Sequence, residues 1–217
     1  MTIKVTPLLE VAQDIEQLSE ETEGRKNYFL KGIYSQCEIK NNNGRIYPFH
    51  LVEREVRSLS EKIAKGVAFG EFGHPKNIKE LPTINEEKVS HRIVEMNQDG
   101  KNFIGKSVII PAGMGELAIK IIETGGTLSV SSRAIGKVNS KGIVESNYKM
   151  FTYDLVFNPG MPGANQTAIL ENREYLVEEK EFFSESEWAL IEKERNSIDA
   201  ILFKVDMLSA LNKLKNI

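Results

Sequence analysis

The chain has 217 residues, of which 41% are hydrophobic and 27% charged, and a formal net charge of −3. That length suits one domain with terminal extensions, large enough to bury a core without disulfides or metals, and the slight acidity lacks the basic excess that nucleic-acid binding needs. No apolar run approaches a bilayer span, the N-terminus lacks signal-peptide architecture, and the single cysteine, Cys37, cannot close an internal disulfide; a reducing cytoplasm is the expected setting.

Residues 1–27 read as an N-terminal arm. Leu8-Leu9 opens a short apolar patch, and acidic residues dominate from Asp14 to Glu23, which fits a short amphipathic helix or a mobile extension. Tyr28 to Lys40 is the first convincing strand, because Phe29, Ile33, Cys37 and Ile39 share one parity and predict its core face. Asn41-Asn42-Asn43-Gly44 ends it in a turn. After Pro48 the spacing of Leu51, Val52, Glu55, Val56, Leu59 and Ile63 predicts a helix stopped by Gly66. Val67 to Phe69 is a short strand running into Gly70-Glu71-Phe72-Gly73-His74-Pro75, and a polar loop follows through Pro82. Lys88 to Met96 and Asn102 to Ile110 form a hairpin about Gln98-Asp99-Gly100. Gly115 to Thr124 has helical spacing with Gly125 as its stop, and Thr127 to Val138 and Ile143 to Phe157 are the next strands. The remainder differs in character: Ser184 and Glu187 make a capping-box pattern, followed by a long stripe from Trp188 and Ile191 to Leu211.

Three histidines are available, His50, His74 and His91. Serine catalysis needs a positioned imidazole to take and return a proton. His74 lies between a glycine and a proline in a loop that can be stiff, whereas His91 reads as a structural strand residue and His50 as solvent-facing. No Cys pair, HExxH or Asp cluster completes a metal-ligand set, so no metal is expected. Ser131 in Leu128-Ser129-Val130-Ser131-Ser132-Arg133 is a candidate nucleophile, with Ser132 beside it; either this is a plain exposed sheet face, or a serine projects from a strand with backbone N–H groups or Arg133 stabilising an oxyanion. Asp154 interrupts the apolar run Phe151 to Phe157, and a carboxylate there needs a partner: the imidazole of His74, or a structural salt bridge to Arg133.

At these residues the chain resembles the prohead core proteases of large tailed bacteriophages, which are distantly similar to the herpesvirus assemblins. Asn43-Gly44-Arg45-Ile46-Tyr47-Pro48 is similar to the family's early motif, and Gly70-Glu71-Phe72-Gly73-His74-Pro75 to the one that carries its general base. Val130-Ser131-Ser132-Arg133 is similar to the one that carries its nucleophile at the first serine, and Asp154 stands where the family has an acidic residue in a late strand.

The resemblance implies an α+β fold, a mainly antiparallel β-barrel ringed by helices. Its protease domain would span residues 28–165, after the arm of 1–27 and before a linker and amphipathic helical tail of 166–217. It implies a serine endopeptidase without metal or organic cofactor, working inside the prohead in the host cytoplasm. Ser131, His74 and Asp154 would be catalytic, with Ser132 and Arg133 supporting the oxyanion. Scaffold, core and major capsid proteins would be its substrates, neither nucleic acid nor membrane a partner, and self-association an open matter. Family cleavage follows glutamate two positions after an aliphatic residue, which makes Glu10, Glu20, Glu171 and Glu178 candidate self-cleavage sites. The competing reading is a catalytically silent core or scaffold protein of the same fold.

Overall fold

A computed structural model describes residues 2–22, 24–157, 174–178 and 181–197. The chain divides into two compact units, Lys4–Leu176 and Val177–Ile217, the latter taking in Met1–Ile3. The strands are β1 (Thr2–Val11), β2 (Gln13–Thr22), β3 (Arg25–Gln36), β4 (Phe69–Glu71), β5 (Val89–Asp99), β6 (Asn102–Ile109), β7 (Leu128–Gly136), β8 (Lys149–Phe157) and β9 (Tyr175–Glu178). The helices α1 (Phe49–Ala64) and α2 (Gly113–Glu123) stand where the apolar spacing predicts them. A third helix, α3, covers 185–197.

The strands form two sheets, one of four strands in the order β8-β7-β1-β9 and one of five in the order β2-β3-β6-β5-β4. The pairings from β1–β7 through β7–β8 are antiparallel. The resemblance leads one to expect a closed barrel; among the described residues the sheets stay separate. They meet where β4 runs out and Phe72 forms a single parallel bridge with Leu155, too little pairing to carry a ladder from one sheet into the other. The fold is α+β and mainly antiparallel, as expected, without the closure.

Core packing follows the pattern of each element. On α1, Leu51, Val52, Val56 and Leu59 are buried, each contributing about 1.5–3 kcal/mol of burial. Glu55, which shares that face, accepts from the backbone N–H of Met150 at 3.1 Å. These side chains join Leu30, Ile93, Phe103, Ile109, Val130 and Leu155 in the core cluster.

Three further expectations fail. Residues 1–27 are not an arm: β1 pairs along β7 from Thr6↔Gly136 to Val11↔Ser131, with Leu8 at 0% and Leu9 at 3% exposure, and β2 pairs β3. Because Leu8 and Leu9 are both buried, on opposite faces, the alternation that betrays a strand is missing. Within β3 the predicted parity is reversed at Phe29 and Ile33, whereas Cys37, just beyond the strand's end, is buried as expected. Tyr28, Leu30 and Tyr34 face the core, Phe29 lies under the Lys106 ammonium at 4.1 Å, and Ile39 is 51% exposed. The two tyrosine rings, with their apolar bodies, outweigh the aliphatic residues that set the expected face. Residues 143–148, expected in a strand, hold only isolated bridges such as Val138↔Val144 before β8 starts at Lys149.

In the smaller unit the capping box is present. The Ser184 N–H donates to Glu187 Oε2 at 2.8 Å and the Glu187 N–H to Ser184 Oγ at 3.3 Å. Phe183 packs on Trp188 with ring centroids 5.5 Å apart, and Ile191 is buried. The stripe beyond Ile191, from Ile198 to Leu211, lies outside the described residues.

Candidate active site

Strand β7 is buried along its whole length, and Ser131 sits at its middle, directly opposite Asp154 of β8. Paired residues of adjacent strands present their side chains on one face, so the hydroxyl and the carboxylate emerge together. His74 arrives from the other sheet. The Thr152 hydroxyl donates to the Phe69 carbonyl at 2.6 Å, the Glu71 N–H to Asp154 Oδ1 at 3.0 Å and the Gly73 N–H to the Leu155 carbonyl at 2.7 Å, tying the β4 segment along β8. A side chain on Gly70 would collide with the Tyr153 carbonyl and the His91 ring, and Gly73 adopts a φ of +81°, which favours glycine. The two glycines thus have different duties, close approach at one and chain reversal at the other, and together they deliver His74 to the serine.

The result is a hydrogen-bonded line. His74 Nδ1 lies 2.6 Å from Asp154 Oδ2, and His74 Nε2 lies 2.8 Å from Ser131 Oγ. An ionised carboxylate only accepts, so Nδ1 carries the proton and Nε2 presents its lone pair to the Ser131 hydroxyl, which donates. Burial works to raise the Asp154 carboxyl, but the His74 hydrogen bond and charge, with the Arg133 guanidinium, outweigh it and hold the group at about 2. Ser131 is 1% exposed and the His74 side chain 3%, so this conformation is closed to solvent.

Arg133 was expected near an oxyanion; its donors are already committed. Nε and Nη2 donate to Asp154 at 2.7 and 2.6 Å, Nη2 also meets Glu71 at 3.0 Å, and Nη1 donates to the Thr83 carbonyl at 2.7 Å. The structural salt bridge and the imidazole contact, posed as alternatives for Asp154, are both present on one carboxylate. Ser132 faces away from Ser131, and its Oγ accepts from the Glu10 N–H at 3.2 Å. His91 is fully buried with Nδ1 2.9 Å from Ser90 Oγ, and His50 is exposed on α1. Cys37 is buried, and burial pushes its thiol up to about 12.

Two features escaped the sequence reading. Glu71 joins the buried cluster, and Asn43, Arg45 and Tyr47 converge on Glu10: their side chains donate to its carboxylate at 2.6, 2.8 and 2.7 Å. No periodicity marks them, because Asn43 and Gly44 lie in a turn, with Gly44 at a φ of +76°, and it is the chain reversal that brings the three donors together. Glu10 therefore stands near the end of a paired strand with its side chain engaged, not on an arm open to cutting, and Glu20 lies in β2 with Lys106 at 3.0 Å. Glu178 ends β9, and Glu171 lies outside the described residues.

A serine, a histidine and an aspartate in this order, set across two antiparallel sheets, have the arrangement with which serine peptidases move a proton to and from a reacting hydroxyl. The family model for the prohead core protein serine protease matches residues 2–174, and the chain belongs to that family. It is 28% identical over 146 residues to the prohead core protein protease of Enterobacteria phage T4, a match spanning 63% of this chain and 66%, just under two thirds, of that protein. In fold it is similar to the bacteriophage T4 capsid assembly protease, with a TM-score of 0.62 at 23% identity, over 71% of this chain and 99% of that one.

Proposed function

We propose that this chain is a serine endopeptidase that cleaves scaffold, capsid and other internal proteins of a phage prohead during head maturation. The observation that carries this reading is the line Asp154–His74–Ser131, with its two contacts of 2.6 and 2.8 Å. In the mechanism it supports, Ser131 Oγ attacks the scissile carbonyl while His74 Nε2 takes its proton. Asp154 holds the ring and stabilises the imidazolium. His74 returns the proton to the departing amine, leaving an acyl-enzyme that water, activated by the same imidazole, hydrolyses. With the Arg133 donors engaged, the oxyanion falls to backbone N–H groups.

The same reading places the enzyme inside the prohead, in the host cytoplasm, among its substrates, and cutting after glutamate in aliphatic-x-Glu sequences. Ile169-Leu170-Glu171 and Leu176-Val177-Glu178 then mark the ends of a precursor, cut to separate a protease domain from the tail. The closed serine suits a precursor that opens before it acts. Glu10 and Glu20 drop out of this scheme because each is paired within a sheet. The test is co-expression with the capsid protein of the same phage, comparing wild type with Ser131→Ala by mass spectrometry. Cleavage after glutamate in the wild type alone is expected; an uncut capsid protein in both, with both chains still ending at Ile217, would leave the silent-scaffold reading in place.

A further inference from the structure

Arg133 poses an electrostatic problem. A guanidinium bound through two nitrogens to Asp154 neutralises the carboxylate on which His74 depends. If the pair stood alone, protonating His74 would create an uncompensated buried charge, which is costly. It does not stand alone: Glu71, 1% exposed, places Oε1 3.0 Å from the same guanidinium and accepts from the Asn85 N–H at 2.9 Å. Asp154, Glu71 and Arg133 together carry one net negative charge, and the cluster becomes neutral when His74 takes the serine proton.

We infer that Glu71 is a positioning residue of this site, whose carboxylate offsets Arg133 so that Asp154 keeps its charge for His74. The inference rests on the reading of Ser131 and His74 given above. Three further observations point the same way. The Glu71 backbone N–H donates to Asp154 Oδ1 at 3.0 Å, so the residue orients the carboxylate it also serves electrostatically. It lies three residues before His74 on the segment that delivers the imidazole. Its Oε2 is buried without a hydrogen-bond partner among the described residues. A carboxylate kept only for its hydrogen bonds to Arg133 and Asn85 could be an amide; the charge itself has a use. The groups bearing on His74 are then Asp154 on β8, Arg133 on β7, Glu71 on β4 and His91 on β5, with Lys76 exposed on the same loop. Burial holds His91 neutral down to about pH 4.

Glu71→Gln separates charge from packing, because its amide oxygen can still accept from Arg133 and Asn85. The experiment is an NMR titration of the three imidazoles in the full chain, carrying Ser131→Ala to prevent self-cutting, with and without Glu71→Gln. Losing the negative charge disfavours the imidazolium, so the His74 midpoint should fall by on the order of one pH unit, a factor of ten in proton affinity, while exposed His50 stays put. In the otherwise wild-type enzyme the same substitution should lower kcat on the order of tenfold with little change in KM. An unmoved His74 midpoint in a folded Glu71→Gln chain would overturn the inference. Should that variant not fold, Glu71→Asp, which keeps the charge, serves instead: its His74 midpoint should match the parent, and a fall of a unit would count against the charge argument. Whether Ser131→Ala abolishes cleavage is a separate result, and it bears only on the function proposed above.

Discussion

Ser131 and Asp154 face each other across β7 and β8, yet the link between them runs through His74 from a different sheet. The serine and the carboxylate are aligned by strand register, and the imidazole is brought in by the loop that follows β4. In the proposed mechanism, activity depends on the contact between two sheets as much as on the three side chains.

Ser131→Ala and His74→Ala should each reduce cleavage by about a thousandfold or more while the fold persists. Ser132→Ala should keep its activity and lose about 1 kcal/mol, because its hydroxyl serves the Glu10 N–H on the opposite face. Cleavage of the capsid protein, read with thermal melting of each variant, checks this; an inactive Ser132→Ala beside an active Ser131→Ala would reassign the nucleophile.

Asp154 makes acid stability a test of the buried cluster. Its folded pKa of about 2 lies below the ordinary 3.8, so its contribution is fully present above about pH 4 and is lost as pH falls through 2. The magnitude is on the order of 2 kcal/mol. Urea unfolding between pH 2 and 5 should show that slope in the wild type, and Asp154→Asn should lack it, as well as losing turnover far more than substrate binding.

His91 acts in a higher window and through the opposite charge type. Burial lowers its pKa from 6.5 to about 4, so between these values the unfolded chain binds the proton and the folded chain does not. Stability should rise with pH across that window and be complete above about 6.5, a change of roughly 3 kcal/mol. Denaturation midpoints at pH 4.5 and 7 measure it. A folded His91→Gln variant with the same difference would rule out this residue as the cause.

The Glu10 cage should be worth more than a surface ion pair, since Glu10 and Arg45 side chains are only 17% and 12% exposed. Glu10→Gln or Arg45→Ala should each lower stability by about 1–3 kcal/mol, and the double variant should lose less than the sum. Intact-mass measurement of active wild-type protein should find no cut after Glu10.

Parts of this architecture were legible from residue spacing, and others were hidden for identifiable reasons. The α1 face, including buried Glu55, and the β5–β6 hairpin follow from periodicity, because one face of each is clearly apolar. Strand β1 hides because Leu8 and Leu9 are buried on opposite faces and Pro7 argues against a strand. Strand β2 hides because it is a sheet edge, rich in carboxylates that discourage pairing with another chain. Ser131, His74 and Asp154 could be named one by one from their motifs. The two partners of Asp154 could be named only as alternatives, and that both are met at once, with Glu71 and the Thr83 carbonyl also around Arg133, depends on long-range packing that spacing does not show.

The pairing of β1 with β7 has a consequence in time. Leu8 waits for Ala134, more than a hundred residues further along the chain, before it has a neighbour on that side. At typical rates of synthesis the wait is on the order of ten seconds, with a strand edge open throughout. Nor can a nascent chain assemble the Asp154–His74–Ser131 line, since Asp154 emerges after both Ser131 and His74. On the function proposed above, a ribosome that stalls before β8 is complete releases an inert polypeptide, and translation itself becomes the first interval during which the new chain cannot attack its neighbours.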